Sequence, residues 1–406
     1  MQSPLTQHTP CSVRLAIVAT HPVQYNAPWF RLLAQHPGLD VKVFYTWQDG
    51  TQAITDPGFG RQITWDLPLT EGYALQYVPP STEVESRSFR NMDSPALVGT
   101  IEAYQPTAIL VIGWNFRSHL RALRHFHGRI PVLFRGDSTL LDKRSGPKEL
   151  VRSTVLRWVL KFVDYGLSVG TNNTAYFRHH GLTEEQIVHV PHAIDNARFS
   201  GTGPDYDNAA ATIRRELGFR ESDTVLLFAG KFEHKKRPDR LLDLFLRAVP
   251  HRPDMQLLLV GNGIMEEQLK KRAEGCDAVR FLPFQNQNRI PIIYRVGDIT
   301  VLPSEYNETW GLALNESMAS GRTVMATTQV GAAVDLIQPG TTGFLLDTEA
   351  SGNDGADQAL RELPDRPALL EMGVDCREFI KQQWTFEMIV ERISQLLLSL
   401  APGELA

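Results

Sequence analysis

The feature that most restricts this chain is a repeated alternation of short, β-branched apolar runs with helical stretches. The runs Arg14–Thr20, Val41–Tyr45, Ala108–Ile112, Pro131–Phe134, Gly166–Val169 and Ile187–Val190 read as buried strands. Helical patterns lie between several of them, Asn26 through Leu33 among them, with Asn26 near the cap and Pro28 in the first turn. Buried strands separated by helices are the pattern of a mostly parallel sheet. A polar, Gly/Asp-rich segment, Ser200–Asp205, reads as a linker, after which the alternation restarts with Val225–Ala229, Gln256–Val260, Val279–Leu282, Ile299–Leu302, Thr323–Ala326 and Gly343–Leu346. The expected architecture is two doubly wound α/β domains, residues 1–195 and 196–385. The amphipathic helix Phe386–Leu400 is placed to cross back onto the first. Ligands of such sheets sit at the carboxyl ends of the strands, so the loops that follow them are where chemistry is expected.

Composition narrows the class of partner. A chain of 406 residues is long enough for two cores, and 42% hydrophobic with 21% charged residues is ordinary for a globular protein. The net charge of -5 argues against nucleic acid as the main partner. Cys11, Cys276 and Cys376 lie far apart and make no metal-ligand spacing. Met1 to Cys11 lacks an apolar core of signal-peptide length, and no later run reaches membrane-span length. The expected location is cytoplasmic, at most peripheral at the inner face of a membrane.

The strongest chemical signal follows the run Asp298–Leu302 and the loop opened by Pro303. There Glu308 and Glu316 stand eight positions apart across the opening of a helix expected from Gly311 to Ala319 and closed by Gly321. Amides around Trp310, Gly311 and Leu312 are placed to receive a phosphate. One carboxylate is then free to face a sugar and the other to accept hydrogen bonds from hydroxyls. Two glutamates at this spacing also fit a helix cap and a solvated acid. After Val225–Ala229 comes Gly230 with Lys231, Lys235, Lys236 and Arg237 close behind; two lysines at a strand's mouth suit a diphosphate, although a charge run alone is more often solvated. Gly261 and Gly263 end the next strand, where they allow close backbone approach or make only a turn. Phe284 and Gln285 follow a third strand; Phe284 suits a nucleobase contact or the core.

Taken together, these elements resemble the retaining glycosyltransferases of family 4, most clearly from Leu226 to Leu346. Glu308 and Glu316 match the family's E-x7-E motif, Leu302-Pro303-Ser304 and Met318-Ala319-Ser320-Gly321 its flanks, and Lys236 its usual Lys; Lys231 stands where Arg is usual. The resemblance implies a GT-B fold, two Rossmann-like domains facing a cleft. It implies transfer of a sugar from a nucleotide-diphosphate donor to a hydroxyl acceptor with retention, in glycan, polysaccharide or glycolipid synthesis, with no metal and no cofactor. By resemblance Glu308, Lys236 and Lys231 are catalytic, and Gly230, Gly261, Gly263, Phe284, Gln285, Trp310, Gly311, Leu312 and Glu316 bind the donor. In the first domain the likeness is weaker: Arg135-Gly136-Asp137-Ser138 replaces a segment that carries a histidine in many relatives. His21, Tyr25, Arg135, Asp137 and Ser138 are the acceptor-side candidates; His21 and Tyr25 equally suit a tight turn. His192, in the segment that ends at Asp195, reads as structural. An epimerase, a phosphorylase or a silent sugar-nucleotide-binding scaffold are the alternatives.

Charge is segregated in the first domain. From Arg117 to Lys161 eleven Lys or Arg (117, 121, 124, 129, 135, 143, 144, 148, 152, 157 and 161) face three acids, at 137, 142 and 149. Between Lys148 and Lys161 they alternate with Leu150, Val151, Val155, Leu156, Trp158 and Val159. The pattern fits either a helix that covers the sheet with a solvated basic side, the more ordinary case, or one that rests on an anionic membrane.

Overall fold

The computed structural model describes residues 13–47, 54–56, 61–63, 66–80, 88–142, 146–201, 205–346 and 358–400. Lys143, Arg144 and half of the expected linker, residues 202–204, lie outside them. The first sheet is built from β1 (Val13–Ala19), β2 (Leu39–Tyr45), β5 (Ala74–Tyr77), β6 (Ala108–Ile112), β7 (Val132–Arg135), β8 (Tyr165–Ser168) and β9 (Ile187–His189). Its order is β5-β2-β1-β6-β7-β8-β9, with parallel pairings throughout. A two-stranded antiparallel hairpin, β3 (Ile54–Asp56) with β4 (Arg61–Ile63), stands beside it in the chain.

The second sheet comprises β10 (Thr224–Ala229), β11 (Met255–Val260), β12 (Val279–Leu282), β13 (Ile299–Leu302), β14 (Thr323–Thr327) and β15 (Gly343–Leu346). Its order is β12-β11-β10-β13-β14-β15, again parallel. Helices cover both faces, which is why Val225, Leu226, Leu227 and Phe228 form an unbroken apolar run with every side chain buried. Strand order reverses between β10 and β13, so the loops after these two strands diverge and leave a crevice between them. Those loops carry Lys236 and Glu308. In the first sheet the reversal falls between β1 and β6, next to the loop that carries Tyr25.

The helix Phe386–Leu400 returns to the first domain. Phe386, Ile389, Ile393 and Leu397, spaced for one helical face, join Trp29, Phe30 and Leu33 in a single core cluster, and Arg392 donates to the His189 carbonyl at 2.7 Å.

A buried acid anchors the second domain. Asp298, 0% exposed at its side chain, meets Arg214 and Arg366 at 3.1 Å each and accepts the Val225 N–H at 2.8 Å. It therefore ties the start of β10 to two covering helices. Removing one partner of a buried pair leaves an uncompensated charge. Asp298→Ala is expected to cost about 3–5 kcal/mol of stability in denaturant titration; a loss below about 1 kcal/mol, the scale of an exposed pair, would show the anchor to be unimportant.

Candidate active site

The helix that carries Glu316 begins at Ala313, two residues later than its pattern suggests. Gly311 has φ +97, outside the helical region, and a Cβ there would fall 2.7 Å from Val330 Cγ1. The loop before it is held at several points. Glu305 pairs with Arg237, at the end of the turn after β10, and with Arg240 in the first turn of the helix Pro238–Ala248, and Ser304 Oγ donates to Glu308 Oε2 at 3.2 Å. Gly331 donates its N–H to the Glu308 carbonyl at 3.0 Å.

Held in this way, Glu308 forms an ion pair with the ammonium of Lys236, from the turn after β10. The two residues lie 72 positions apart and meet because their strands flank the reversal of sheet order. Both line a cavity of about 360 Å³ whose walls come from the two domains, among them Tyr25, Asp137, Gly230, Phe284, Gln285 and Glu316. Trp310, Gly311, Leu312 and Gly261 also line it. Lys231 sits in the same turn as Gly230 and is not among the lining residues.

Glu316 lines the same cavity, 5% exposed. Tyr25 Oη donates to its Oε1 at 2.9 Å and Tyr294 Oη to its Oε2 at 2.7 Å. Burial raises the Glu316 carboxyl above its ordinary range, opposed by these two hydrogen bonds. Burial first, and then the Glu316 carboxylate, push both tyrosine hydroxyls well above theirs. Tyr25 thus reaches across to the carboxylate of the other domain.

Of the other first-domain candidates, Asp137 lines the cavity and accepts from Thr309 Oγ1 at 2.7 Å. Ser138 lines two neighbouring cavities beside it. His21 turns to Thr20 Oγ1, 3.0 Å away, and packs its ring edge on Trp47. Arg135 is buried: its guanidinium donates to the carbonyls of Val190 and Pro191 at 2.8 and 2.9 Å, so it braces the segment that leads into the second domain. Gly263 serves packing, since a Cβ there would fall 2.5 Å from the Phe232 carbonyl oxygen; Gly261, at φ +148, would meet the Gly230 oxygen at 1.9 Å. Gln24, Gln287, Tyr294 and Thr309 line the cavity without having been singled out by pattern. Only the E-x7-E spacing points toward Tyr294, through the helix it faces.

A cation paired to a carboxylate, and a buried carboxylate met by two hydroxyl donors, around one cavity suit a ligand that carries both an anionic group and hydroxyls. Among the described residues no group of three or more His, Cys, Asp or Glu is arranged to hold a metal ion.

Two facing doubly wound sheets with a cleft between them define the GT-B class. Solved structures agree over nearly the whole chain. Anabaena Alr3699/HepE in complex with UDP is 17% identical with a TM-score of 0.69, covering 95% of this chain and 100% of that one. Sucrose-phosphate synthase from Thermosynechococcus elongatus is 21% identical with a TM-score of 0.69, covering 96% and 99%. Residues 210–381 match the family "Glycosyl transferases group 1". D-inositol 3-phosphate glycosyltransferase of Corynebacterium kroppenstedtii is 34% identical over 200 residues, 47% of this chain and 42% of that protein. The GDP-mannose-dependent monoacylated alpha-(1-6)-phosphatidylinositol monomannoside mannosyltransferase of Corynebacterium glutamicum is 29% identical over 219 residues, 52% and 56%. The chain spans about half the length of the curated relatives it matches.

His192 also lines the cavity, and burial, with the Arg135 charge acting in the same direction, pushes its imidazole down to about 4 from 6.5. An unfolded chain takes up the proton near 6.5, whereas the folded chain resists until about 4. Acidification through that window therefore favours unfolding. The melting temperature is expected to fall more steeply between these pH values in wild type than in His192→Asn; equal slopes would refute a buried neutral imidazole. Gly331→Ala places a Cβ 1.8 Å from the Thr309 oxygen, so the Glu308 loop must shift. A stability loss of about 1–3 kcal/mol in denaturant titration is expected, the range for forced overpacking, and an unchanged midpoint would contradict the close approach.

Proposed function

We propose that this chain transfers a sugar from a nucleotide-diphosphate donor to a hydroxyl acceptor, with retention of anomeric configuration and without a metal. The observation that carries the reading is the placement of Lys236, Glu308 and Glu316 around one cavity at the strand-order reversal. In this reading the diphosphate lies at Lys236 and the loop Trp310–Leu312, the sugar faces Glu308, and the ribose hydroxyls approach Glu316. Lys236 stabilises the negative charge that grows on the departing diphosphate, the role for which a metal would otherwise serve. Lys231 lies outside the lining and acts at most from its edge.

The acceptor enters beside Asp137 and Ser138 from the first domain. Its hydroxyl oxygen forms the new bond to the anomeric carbon on the face from which the phosphate oxygen departs, and that phosphate takes the hydroxyl's proton. Such a reaction needs the cleft closed against water. The domains already meet through Tyr25–Glu316 and Thr309–Asp137. The binding and transfer named by the relatives, GDP-mannose and UDP among them, support a nucleotide sugar without deciding which one. The segregated positive charge of the first domain supports an acceptor presented at an anionic membrane surface, with the protein held there peripherally.

A melting-temperature screen against UDP, GDP, ADP and their sugars tests the donor directly, because a ligand bound only by the folded state raises the transition; no rise with any of them would defeat the reading. With the donor found, Glu308→Ala and Lys236→Ala are each expected to lower turnover by about two orders of magnitude, and near-normal rates would displace these residues from catalysis. Glu316→Ala is expected to weaken nucleotide binding in calorimetry, and unchanged affinity would rule out its contact with the ribose.

A further inference from the structure

We propose that the face formed by the helices Arg117–Phe126 and Pro147–Leu160 docks on an anionic phospholipid bilayer, with the second helix lying in the interface. Only the link from this face to the acceptor rests on the transfer reading above; the docking itself does not.

The helix Pro147–Leu160 divides its apolar residues between two sides. Ser153, Leu156, Val159 and Leu160 are buried against the domain. Leu150, Val151, Val155 and Trp158 are 71%, 64%, 41% and 41% exposed. At about 100° per residue these four fall on one face, opposite the buried set. The same rotation puts Lys148 and Arg152 along one flank of the exposed stripe, and Arg157 and Lys161 along the other. An apolar stripe between two cationic borders is unfavourable in water and complementary to a bilayer, where headgroup phosphates meet the borders and acyl chains the centre. The ordinary reading of this helix, with its apolar residues covering the sheet, thus accounts for Leu156, Val159 and Leu160 but not for the four exposed ones.

Next to the stripe runs a groove of about 740 Å³, lined by Arg117, Arg121, Arg124 and Arg129 with His125 and His127. Arg124 joins the two surfaces: its guanidinium lies 5.5 Å from the Trp158 ring and 5.8 Å from that of Phe162. Asp93, Glu102 and Asp164 pair with groove residues, so the excess positive charge comes from Arg124 and from the helix cations Lys148, Arg157 and Lys161, Arg152 being paired with Glu149. That excess arises on a chain whose net charge is -5, which favours a localised anionic surface over general attraction to anions.

The stripe also borders the cleft. Arg152 lines one cavity with Ser138, Asp142, Asn307 and Thr309, and a second with Asp137, Trp114 and Leu156. The Arg152 border of the stripe therefore reaches the side on which the acceptor hydroxyl is read to enter, and the acceptor class that fits is an amphiphile carrying its hydroxyl at the headgroup level.

Flotation of the full chain with vesicles tests the proposal, comparing phosphatidylcholine alone with phosphatidylcholine plus phosphatidylglycerol. Wild type is expected to float with the anionic vesicles only, and less as salt rises. The double variant Leu150→Asp, Val151→Asp is expected to lose binding at least tenfold, and Arg124→Ser by about fivefold, the scale of one cation near an anionic surface. Melting temperature without ligand and its shift with UDP or GDP are measured on the same samples, since neither altered site lines the donor cavity and the exposed positions should leave the fold intact. Absence of wild-type flotation at low salt, or equal flotation of the folded double variant, would overturn the proposal. A missing nucleotide shift with intact flotation would instead count against the transfer reading and leave the docking face standing.

Discussion

The structure depends on a carboxylate buried between two domains. Glu316 is removed from water on a short helix, and a bare carboxylate there would be costly unless hydroxyl donors meet both oxygens. Tyr294 supplies one from the same domain; Tyr25 supplies the other from the opposite domain. The contact therefore joins the two sheets at the point where a ligand would lie. Its neighbours extend the seam: Asp137 with Thr309, Asp142 with the Asn307 N–H, and Asn315 with the His192 carbonyl. A cleft closed by polar contacts of this kind can exchange them for hydroxyls of a ligand at little net change in hydrogen bonding.

The second constraint is topological. Because strand order reverses between β10 and β13, their loops part and present Lys236 and Glu308 to one crevice. The loop after β13 is then stiffened from below by Glu305 on Arg237 and Arg240 and by Gly331 against the Glu308 carbonyl. A group meant to stabilise developing charge works best when it is already in place, and these contacts supply that fixation without touching the cavity.

How far the sequence foretold this depended on how local each signal was. Most strands were legible because burial on both faces forces unbroken apolar runs, as in Val225 to Phe228. Ala74–Tyr77 escaped notice because it is a short edge strand of partly exposed residues, and the hairpin of Ile54–Asp56 with Arg61–Ile63 is only three residues a side. The helical pattern starts two residues before the helix after Glu308 does, since the left-handed φ of Gly311, where a Cβ would meet Val330 and Leu302, breaks the helix at a point that spacing does not announce. In the site, Glu308, Glu316 and Lys236 carried a motif. The hydroxyl of Tyr294, the crossing of Tyr25 and the structural employment of Arg135 did not, because each depends on a partner that no spacing announces. Similarly, alternation along Lys148–Lys161 revealed an amphipathic helix but not that its apolar residues split between core and surface.

The central claim is that the cavity receives a diphosphate at Lys236 between two carboxylates. Calorimetric comparison of nucleoside diphosphate with the matching monophosphate, in wild type and in Lys236→Ala, addresses it most directly. The account predicts at least tenfold tighter binding of the diphosphate to wild type, the scale of one charge-assisted contact, and loss of that preference in the variant. Equal affinity for the two nucleotides in wild type, or a preference that survives the loss of Lys236, would contradict it.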